Sequence, residues 1–92
     1  MGSYRIEWKH SARKELRSLN KAAIPKVLAA VEALADDPHP KGSKKLAGSE
    51  HTYRIRVGNY RVVYSIQAAV LIIEVIKVGH RKDVYRTLSG QR

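Results

Sequence analysis

Hydrophobic and polar residues alternate in two parts of the chain. From Tyr4 to Lys9 every second residue is apolar or aromatic, which is the period of a strand with one buried face. The segment HTYRIRVGNYRVVYSI, His51 to Ile66, alternates on both sides of Gly58 and Asn59 and predicts a hairpin. The run VLIIEVIKV, Val70 to Val78, is apolar at nearly every position. It predicts a strand that is covered on both faces in the middle of a sheet and ends at the next residue, a glycine.

Two stretches between the first strand and the hairpin have apolar residues at helical spacing. The first has Ser11 as its expected N-cap, and its apolar residues are Ala12, Leu16 and Leu19. The second tolerates Pro25 in its first turn, and its apolar stripe consists of Ile24, Val27, Val31 and Leu34. Asp36, Asp37 and Pro38 then end the second helix.

The order of these elements predicts one α+β domain over residues 1–92. We expect a mostly antiparallel four-stranded sheet with an N-terminal helical hairpin on one face, in the order β-α-α-β-β-β plus a short C-terminal helix. Residues 39–50 contain one proline and two glycines and are expected to form a surface loop. This loop carries Lys41, Lys44 and Lys45.

The formal net charge of +10 is the strongest feature of the composition. Residues 41–92 hold eleven Lys and Arg against three acids, whereas residues 1–40 hold seven against five. So concentrated a positive charge favours a polyanionic partner, first of all nucleic acid. An anionic membrane surface and an acidic protein are the alternatives, and the membrane is disfavoured because the basic residues fall on strands and loops. The absence of cysteine and of a long apolar segment fits a cytoplasmic protein.

Strand alternation places three arginines together. The hairpin register predicts that Val57 pairs with Tyr60 and Arg56 with Arg61, and Arg54 then lies on the same face as both arginines. Like charges opposite each other destabilise a sheet, so an anion is expected to be the missing partner. Guanidinium groups match phosphate oxygens and remain charged at any working pH, but they cannot accept a proton.

Proton transfer therefore needs another side chain. Histidine side chains can take or give a proton near neutrality, so His80 is one candidate, and Tyr85 is the other. Glu74 interrupts an apolar strand, and we expect it to pair with a nearby arginine rather than to act in catalysis. No histidine has metal-ligand spacing with an acid, so no metal is predicted.

The run KLAGSEHTYRIRVGNYRVVYSI followed by VIKVGHRKDVYR resembles the core of the RelE-type toxins, within the RelE/ParE superfamily of toxin–antitoxin systems. The opening YRIEW strand, the helical hairpin and the chain length are also similar, so the resemblance covers nearly the whole chain. It implies a type II toxin that acts as a ribosome-dependent mRNA endonuclease. In this family the 2′-hydroxyl attacks the adjacent phosphate of the A-site codon, with no metal or cofactor.

The resemblance also implies site residues and partners. The family's basic hairpin positions match Arg54, Arg56 and Arg61, and its C-terminal Arg and Tyr match Arg81 and Tyr85. The residues expected to bind RNA are Lys41, Lys44, Lys45, Lys82 and Arg86. The implied partners are an acidic RelB-like antitoxin, the ribosome with mRNA in its A site, and operator DNA through the antitoxin complex only. Two alternatives remain open, a ParE-like inhibitor of DNA gyrase and a catalytically silent RNA-binding module.

Overall fold

The computed structural model describes residues 3–80. The sheet is formed by β1 (Arg5–Trp8), β2 (Lys44–Lys45), β3 (Thr52–Val57), β4 (Tyr60–Gln67) and β5 (Ile72–His80), and the helices are α1 (His10–Arg17) and α2 (Ile24–Ala33). The strand order across the sheet is β1-β5-β4-β3-β2. Only the β1–β5 pair is parallel among these strands. The α+β fold with a mostly antiparallel sheet is therefore confirmed, and neither described helix is long and apolar enough to cross a bilayer.

The hairpin of β3 and β4 has the register that the sequence predicted. Val57 pairs with Tyr60 and Arg56 with Arg61, and the pairing continues to Thr52 and Ser65. Gly58 has φ +62°, and Asn59 has no positive φ. A positive φ at the first central residue alone is typical of a type II′ turn, whose twist suits a two-residue hairpin.

Both helices pack on one face of the sheet and form a single core with it. From the helices this core takes Ala12, Leu16, Val27, Val31 and Leu34, and from the strands Ile55, Val62, Tyr64, Ile66, Ile73, Val75 and Val78. The β4 members are alternate residues of their strand, as expected for a strand with one face toward the helices. Val63 is also buried but lies outside this core, because its side chain belongs to the opposite face.

The sheet differs from the sequence prediction in three places. A fifth strand, Lys44–Lys45, pairs with β3, so the loop of residues 39–50 is not wholly irregular. Ala68–Val70 form a 3₁₀ turn, and the next residue has a left-handed backbone, so the apolar strand starts at Ile72. It also continues past Gly79 to His80. β5 lies inside the sheet as predicted, with one face buried and the other half-buried.

The helix ends follow the prediction only in part. Pro25 lies in the first turn of α2, as expected. The N-cap of α1 is Lys9, which makes no side-chain capping bond, so the expectation for Ser11 was wrong. The predicted C-terminal helix lies outside the described residues.

Glu15 fastens α1 to the end of β5. β1 pairs with β5 only as far as Val75, and beyond that point the N–H of Val78 donates to Oε1 of Glu15 at 3.0 Å. Nζ of Lys77 donates to Oε2 of the same carboxylate at 2.6 Å. One acid thus satisfies a backbone donor at a strand edge and neutralises a partly buried lysine.

We predict that Glu15→Ala lowers the free energy of unfolding by about 1.5–3 kcal/mol, because it removes two hydrogen bonds that involve charged groups. Glu15→Gln should lose about half as much, since its amide oxygen still accepts from Val78. Urea unfolding followed by circular dichroism measures both, with Glu32→Ala on the exposed side of α2 as the control. A Glu15→Ala protein as stable as the control would contradict the role given to Glu15.

Candidate nucleic-acid interface

The three hairpin arginines lie on one face of the sheet, opposite the helices. Arg56 is the cross-strand partner of Arg61, and Arg54 is two residues before Arg56 on β3. Lys44 of β2 is the partner of Arg54 and so joins the same face. We call this set of Arg54, Arg56, Arg61 and Lys44 the arginine face. Neighbouring positions on such a face are within reach of one phosphodiester group.

The members of the arginine face differ strongly in exposure. Arg56 and Lys44 are exposed, whereas Arg54 is only 8% and Arg61 only 4% exposed. The sequence predicted three arginines on one face with an anion as their missing partner, but it did not predict that two of them are buried. Buried guanidinium groups are unusual in proteins. Their burial fixes their positions more firmly than a solvated strand face would.

Gly79 is the β5 neighbour of Arg61. A glycine within a strand often marks a place where a ligand or another backbone approaches closely. At this position β5 adds no side chain beside the Arg61 guanidinium. The row formed by Arg56 and Arg61 therefore ends, on the β5 side, at a residue that has no side chain.

The acids on this side of the sheet lie at the other end of the strands. Glu74 pairs with Ser65 of β4 and with Glu7 of β1. Glu7 forms an ion pair with Arg5, at 3.3 Å. Glu74 makes no ion pair within residues 3–80, so the expected pairing with an arginine is not found there. The charge thus changes along the strands, from acidic near β1 to basic near the hairpin turn.

His80 lies on the opposite side of the sheet from the arginines. Its cross-strand partner is Tyr60, and the two rings meet edge to face with their centroids 6.0 Å apart. His80, Tyr60 and Glu15 line a cavity of 330 Å³ next to α1. The expectation that His80 acts beside the arginines is not met by this arrangement, because the thickness of the sheet separates them.

The other candidates fall into two groups. Lys41 lines a small cavity with Arg56 at the edge of β3, whereas Lys45 is the partner of Tyr53 and faces the helix side. The remaining predicted residues lie outside the described part of the chain, namely Arg81, Lys82, Tyr85 and Arg86. Within residues 3–80 no three His, Cys, Asp or Glu side chains are grouped so as to hold a metal ion.

Two tyrosines attach the lysine-bearing loop to the sheet, a contact that the sequence did not reveal. The hydroxyl of Tyr64 donates to the carbonyl oxygen of Pro38 at 2.7 Å. Tyr64 stacks on Tyr53 with ring centroids 6.1 Å apart, and Tyr53 meets the ring of His39 at 4.9 Å. These contacts fix the loop that leads to Lys41 and Lys44. The only signal in the sequence was a tyrosine at a core position, where its hydroxyl needs a partner.

Burial raises the pKa of Tyr64 to about 12. The side chain is 0% exposed, so the phenolate form would lose its solvation. A hydrogen bond with the Ser43 side chain lowers the pKa, and the charges of Tyr53 and Asp37 raise it further. The neutral phenol is therefore the form that holds the loop in place.

The chain is similar to known toxins over most of its length. The family model described as the ParE toxin of type II toxin–antitoxin systems matches residues 6–85. A RelE-like toxin protein of Escherichia coli is 34% identical over 90 residues, which is 94% of each chain. Toxin RelG of Mycobacterium tuberculosis is 32% identical over 91 residues, covering 90% of this chain and 97% of the relative.

Solved structures agree with these matches. The RelE–RelB complex of Pyrococcus horikoshii contains a chain that superposes with a TM-score of 0.76 at 32% identity, covering 86% of this chain and 96% of that one. The isolated RelE toxin of E. coli superposes with a TM-score of 0.76 at 25% identity, covering 97% and 98%. The similarity therefore extends over the sheet and both helices.

We predict that Tyr64→Phe lowers the free energy of unfolding by about 1 kcal/mol at neutral pH, because the Pro38 carbonyl loses its donor. The raised pKa also has a consequence in alkali. The stability that the neutral phenol of Tyr64 gives the folded protein is fully present below pH 10, the ordinary tyrosine pKa, and is lost as the pH rises toward 12. The free energy of unfolding of the wild type should fall by at most about 2–3 kcal/mol over this range.

Urea unfolding of wild type and Tyr64→Phe at several pH values between 8 and about 12 measures this difference. At neutral pH the wild type should have the higher free energy of unfolding. Its advantage over Tyr64→Phe should shrink and then reverse in sign as the wild-type phenol ionises. Tyr60→Phe is the control, because Tyr60 is only half-buried. A difference between wild type and Tyr64→Phe that is independent of pH would contradict the assignment.

Proposed function

The chain belongs to the RelE-type toxins of type II toxin–antitoxin systems, and we propose that it is a metal-independent endoribonuclease that cleaves mRNA in the ribosomal A site. The observation that supports this proposal best is the register that sets Arg56 opposite Arg61, with Arg54 and Lys44 on the same face. Several cations at one place are suited to a group that gains negative charge during reaction.

The proposed reaction is an internal phosphoryl transfer. The 2′-oxygen of one nucleotide attacks the adjacent phosphorus, and the bond to the 5′-oxygen of the next nucleotide breaks. The products are a 2′,3′-cyclic phosphate and a 5′-hydroxyl, so one proton leaves the 2′-hydroxyl and one reaches the 5′-oxygen. The guanidinium groups of Arg54, Arg56, Arg61 and Arg81 hold the phosphate and stabilise its charged transition state. Before a phosphate can contact Arg54 or Arg61, these two side chains must gain exposure.

The proton transfers require a group other than arginine. We propose Tyr85 for this role, because it matches the C-terminal tyrosine of the family that this chain resembles. His80 was the second candidate, but its ring lies with Tyr60 on the helix side of the sheet. In the described arrangement its ring therefore lies on the side of the sheet opposite the arginine face.

The lysines outside the reaction centre are proposed to position the RNA. Lys44 extends the arginine face across β2, and Lys41 lies near Arg56. Together with Lys82 and Arg86 they would contact phosphates without reading the base sequence, whereas Lys45 faces the helix side and is left out of this group. Such contacts orient the message, and they make binding sensitive to salt.

An acidic RelB-like antitoxin is the proposed protein partner. The structural neighbours include RelE chains in complex with RelB, and the net charge of +10 suits an acidic segment. The antitoxin would neutralise the arginine face of a toxin that works in the cytoplasm. We also propose that operator DNA is bound only by the complex, through its antitoxin.

A ParE-like inhibition of DNA gyrase is the second candidate, because the matching family model carries the ParE description. The clustered arginines favour RNA cleavage over this alternative. A silent RNA-binding module is the third possibility, and it would keep the charge without the chemistry.

One experiment distinguishes these three functions. A defined message is translated by purified ribosomes with the protein added, and new 5′ ends are mapped. New ends within the A-site codon are expected, whereas an intact message would refute the nuclease. In that case a parallel supercoiling assay with purified gyrase separates the gyrase inhibitor from the silent module.

We predict that Arg56→Gln and Arg61→Lys each lower the single-turnover cleavage rate by about 10²–10³, because each removes a planar donor from the developing charge. The lysine variant keeps a positive charge at the buried position, which limits the effect on folding. Circular dichroism verifies the fold, and Arg5→Gln at the far end of the same face is the control. Wild-type rates in both variants would disprove the phosphate-binding role.

We predict that His80→Gln keeps the wild-type cleavage rate and its pH dependence, whereas Tyr85→Phe lowers the rate. The reason is that His80 is separated from the arginine face by the sheet. Single-turnover rates measured across pH test both variants. A large loss in His80→Gln with no loss in Tyr85→Phe would reverse the assignment.

A further inference from the structure

A cavity of 260 Å³ lies where the outer edge of β3 meets α2 and the loop before β2. Its lining is mainly apolar and consists of Ala30, Ala33, Pro40, Gly42 and Ile55, together with the cations Lys41 and Arg56. The volume is slightly below the range of about 300–1,000 Å³ that is typical of sites for drug-sized ligands. A space of this size suits a single small ring system. We call it the β3 edge cavity.

The backbone of Arg56 gives the β3 edge cavity a polar side. Residues of an antiparallel strand bond alternately to the neighbours on their two sides. Val57 pairs with Tyr60 across the two-residue turn, so the N–H and C=O groups of Arg56 point to the outer edge of β3. The ladder between β2 and β3 ends at the pair of Lys44 and Arg54. Within residues 3–80, therefore, no strand lies beside this N–H and C=O pair.

A tight turn in the loop before β2 forms the outer wall of the cavity. The N–H of Ser43 donates to the carbonyl oxygen of Pro40 at 2.9 Å, and Gly42 between them has φ +94°. A positive φ at this place is typical of a type II turn, which favours glycine. The hydroxyl of Tyr64 holds the start of the loop through Pro38, at 2.7 Å. The wall is therefore built from a defined turn that is attached to the core.

Arg56 connects the β3 edge cavity with the arginine face. Its exposed side chain is the cross-strand partner of Arg61, whereas its backbone lines the cavity. Two groups of one substrate fit these two places only if they are close together, as the phosphate and the base of one nucleotide are. A nucleobase has flat faces that pack on apolar side chains and an edge that forms hydrogen bonds. The small apolar residues of the lining and the Arg56 backbone match both features.

We infer that the β3 edge cavity binds the base of a nucleotide beside the scissile phosphate and so contributes to the choice of codon. This inference rests on the proposed function, because it starts from RNA bound on the arginine face. The base packs between α2 and the turn that contains Pro40, and its edge meets the N–H and C=O of Arg56. Because backbone groups hold fixed positions, a base with the wrong order of donors and acceptors leaves them unpaired.

Ala33→Leu tests the inference because it fills the cavity from α2, on the other face of the sheet from the arginines. Ala33 is exposed at the end of the helix, and leucine is nearly as good a helix former as alanine. Ala29→Leu is the matched control, since Ala29 is an exposed residue of the same helix outside the lining. Circular dichroism verifies the fold of both variants.

Binding is measured on the free protein by NMR. The backbone amide signal of Arg56 is followed while each nucleoside 3′-monophosphate is added, and inorganic phosphate is the reference probe. The nucleotides should shift this signal more than phosphate does, and Ala33→Leu should bind the best nucleotide about tenfold more weakly than Ala29→Leu. Equal shifts with phosphate and nucleotide, or equal affinities in the two variants, would overturn the inference.

Codon choice is measured with purified ribosomes. The messages differ only in the bases of the A-site codon, and single-turnover cleavage rates are compared. Wild type and Ala29→Leu should prefer one base by about tenfold or more, and Ala33→Leu should reduce this preference to about threefold or less. A preference that is the same in both variants would contradict the role of the cavity.

The two measurements separate this inference from the proposed function. If wild type cuts no message, the nuclease proposal fails, and the NMR titration still decides whether the cavity binds a base. If Ala33→Leu binds nucleotides as well as Ala29→Leu does but binds an acidic antitoxin more weakly, the cavity belongs to a protein partner and the inference is wrong.

Discussion

The alternation of side chains along β4 is the constraint on which the rest of the structure depends. Val62, Tyr64 and Ile66 face the helices and belong to the core, so Arg61 and Val63 must face the other way. β4 is the central strand of the five and is bonded on both sides. A slip of one residue would turn Arg61 into the core and Val62 out of it. The same burial that stabilises the fold therefore fixes the arginine face.

A bulge between β4 and β5 determines what stands beside Arg61. The partner of Tyr64 is Val75, but the partner of Val63 is Lys77, so β5 contains one extra residue at this point. Regular pairing would have set Lys77 against Val62, on the core side. The bulge instead pairs that lysine with Val63 and keeps it out of the core, and its ammonium group still reaches Glu15 beyond the end of β1. It also places Gly79 beside Arg61 and turns the next residue, His80, toward the helices.

The elements with a clear period could be predicted from the sequence, and those that depend on long-range contacts could not. Alternation around Gly58 and Asn59 was enough for the hairpin and its register. β2 has only two residues, and it forms because it can pair with the outer edge of β3. The bulge could not be predicted, because Val70 to Val78 is apolar at almost every position. Such a segment does not show where the alternation between the two faces of the sheet shifts by one residue. The burial of Arg54 and Arg61 likewise depends on how the whole domain packs.

Four acids of residues 3–80, Glu7, Glu15, Asp36 and Asp37, make local structural contacts rather than neutralising the basic surfaces. Glu15 holds β5, and Glu7 pairs with Arg5. Asp36 accepts from the Ser3 hydroxyl, and Asp37 accepts from the N–H of His39 in the next turn. Carboxylates engaged in these local contacts do not pair with the exposed cations of α1 or with Arg56. Within residues 3–80 the exposed cations of α1 and Arg56 form no ion pair, so anions from outside the molecule are the natural counter-charges for these side chains.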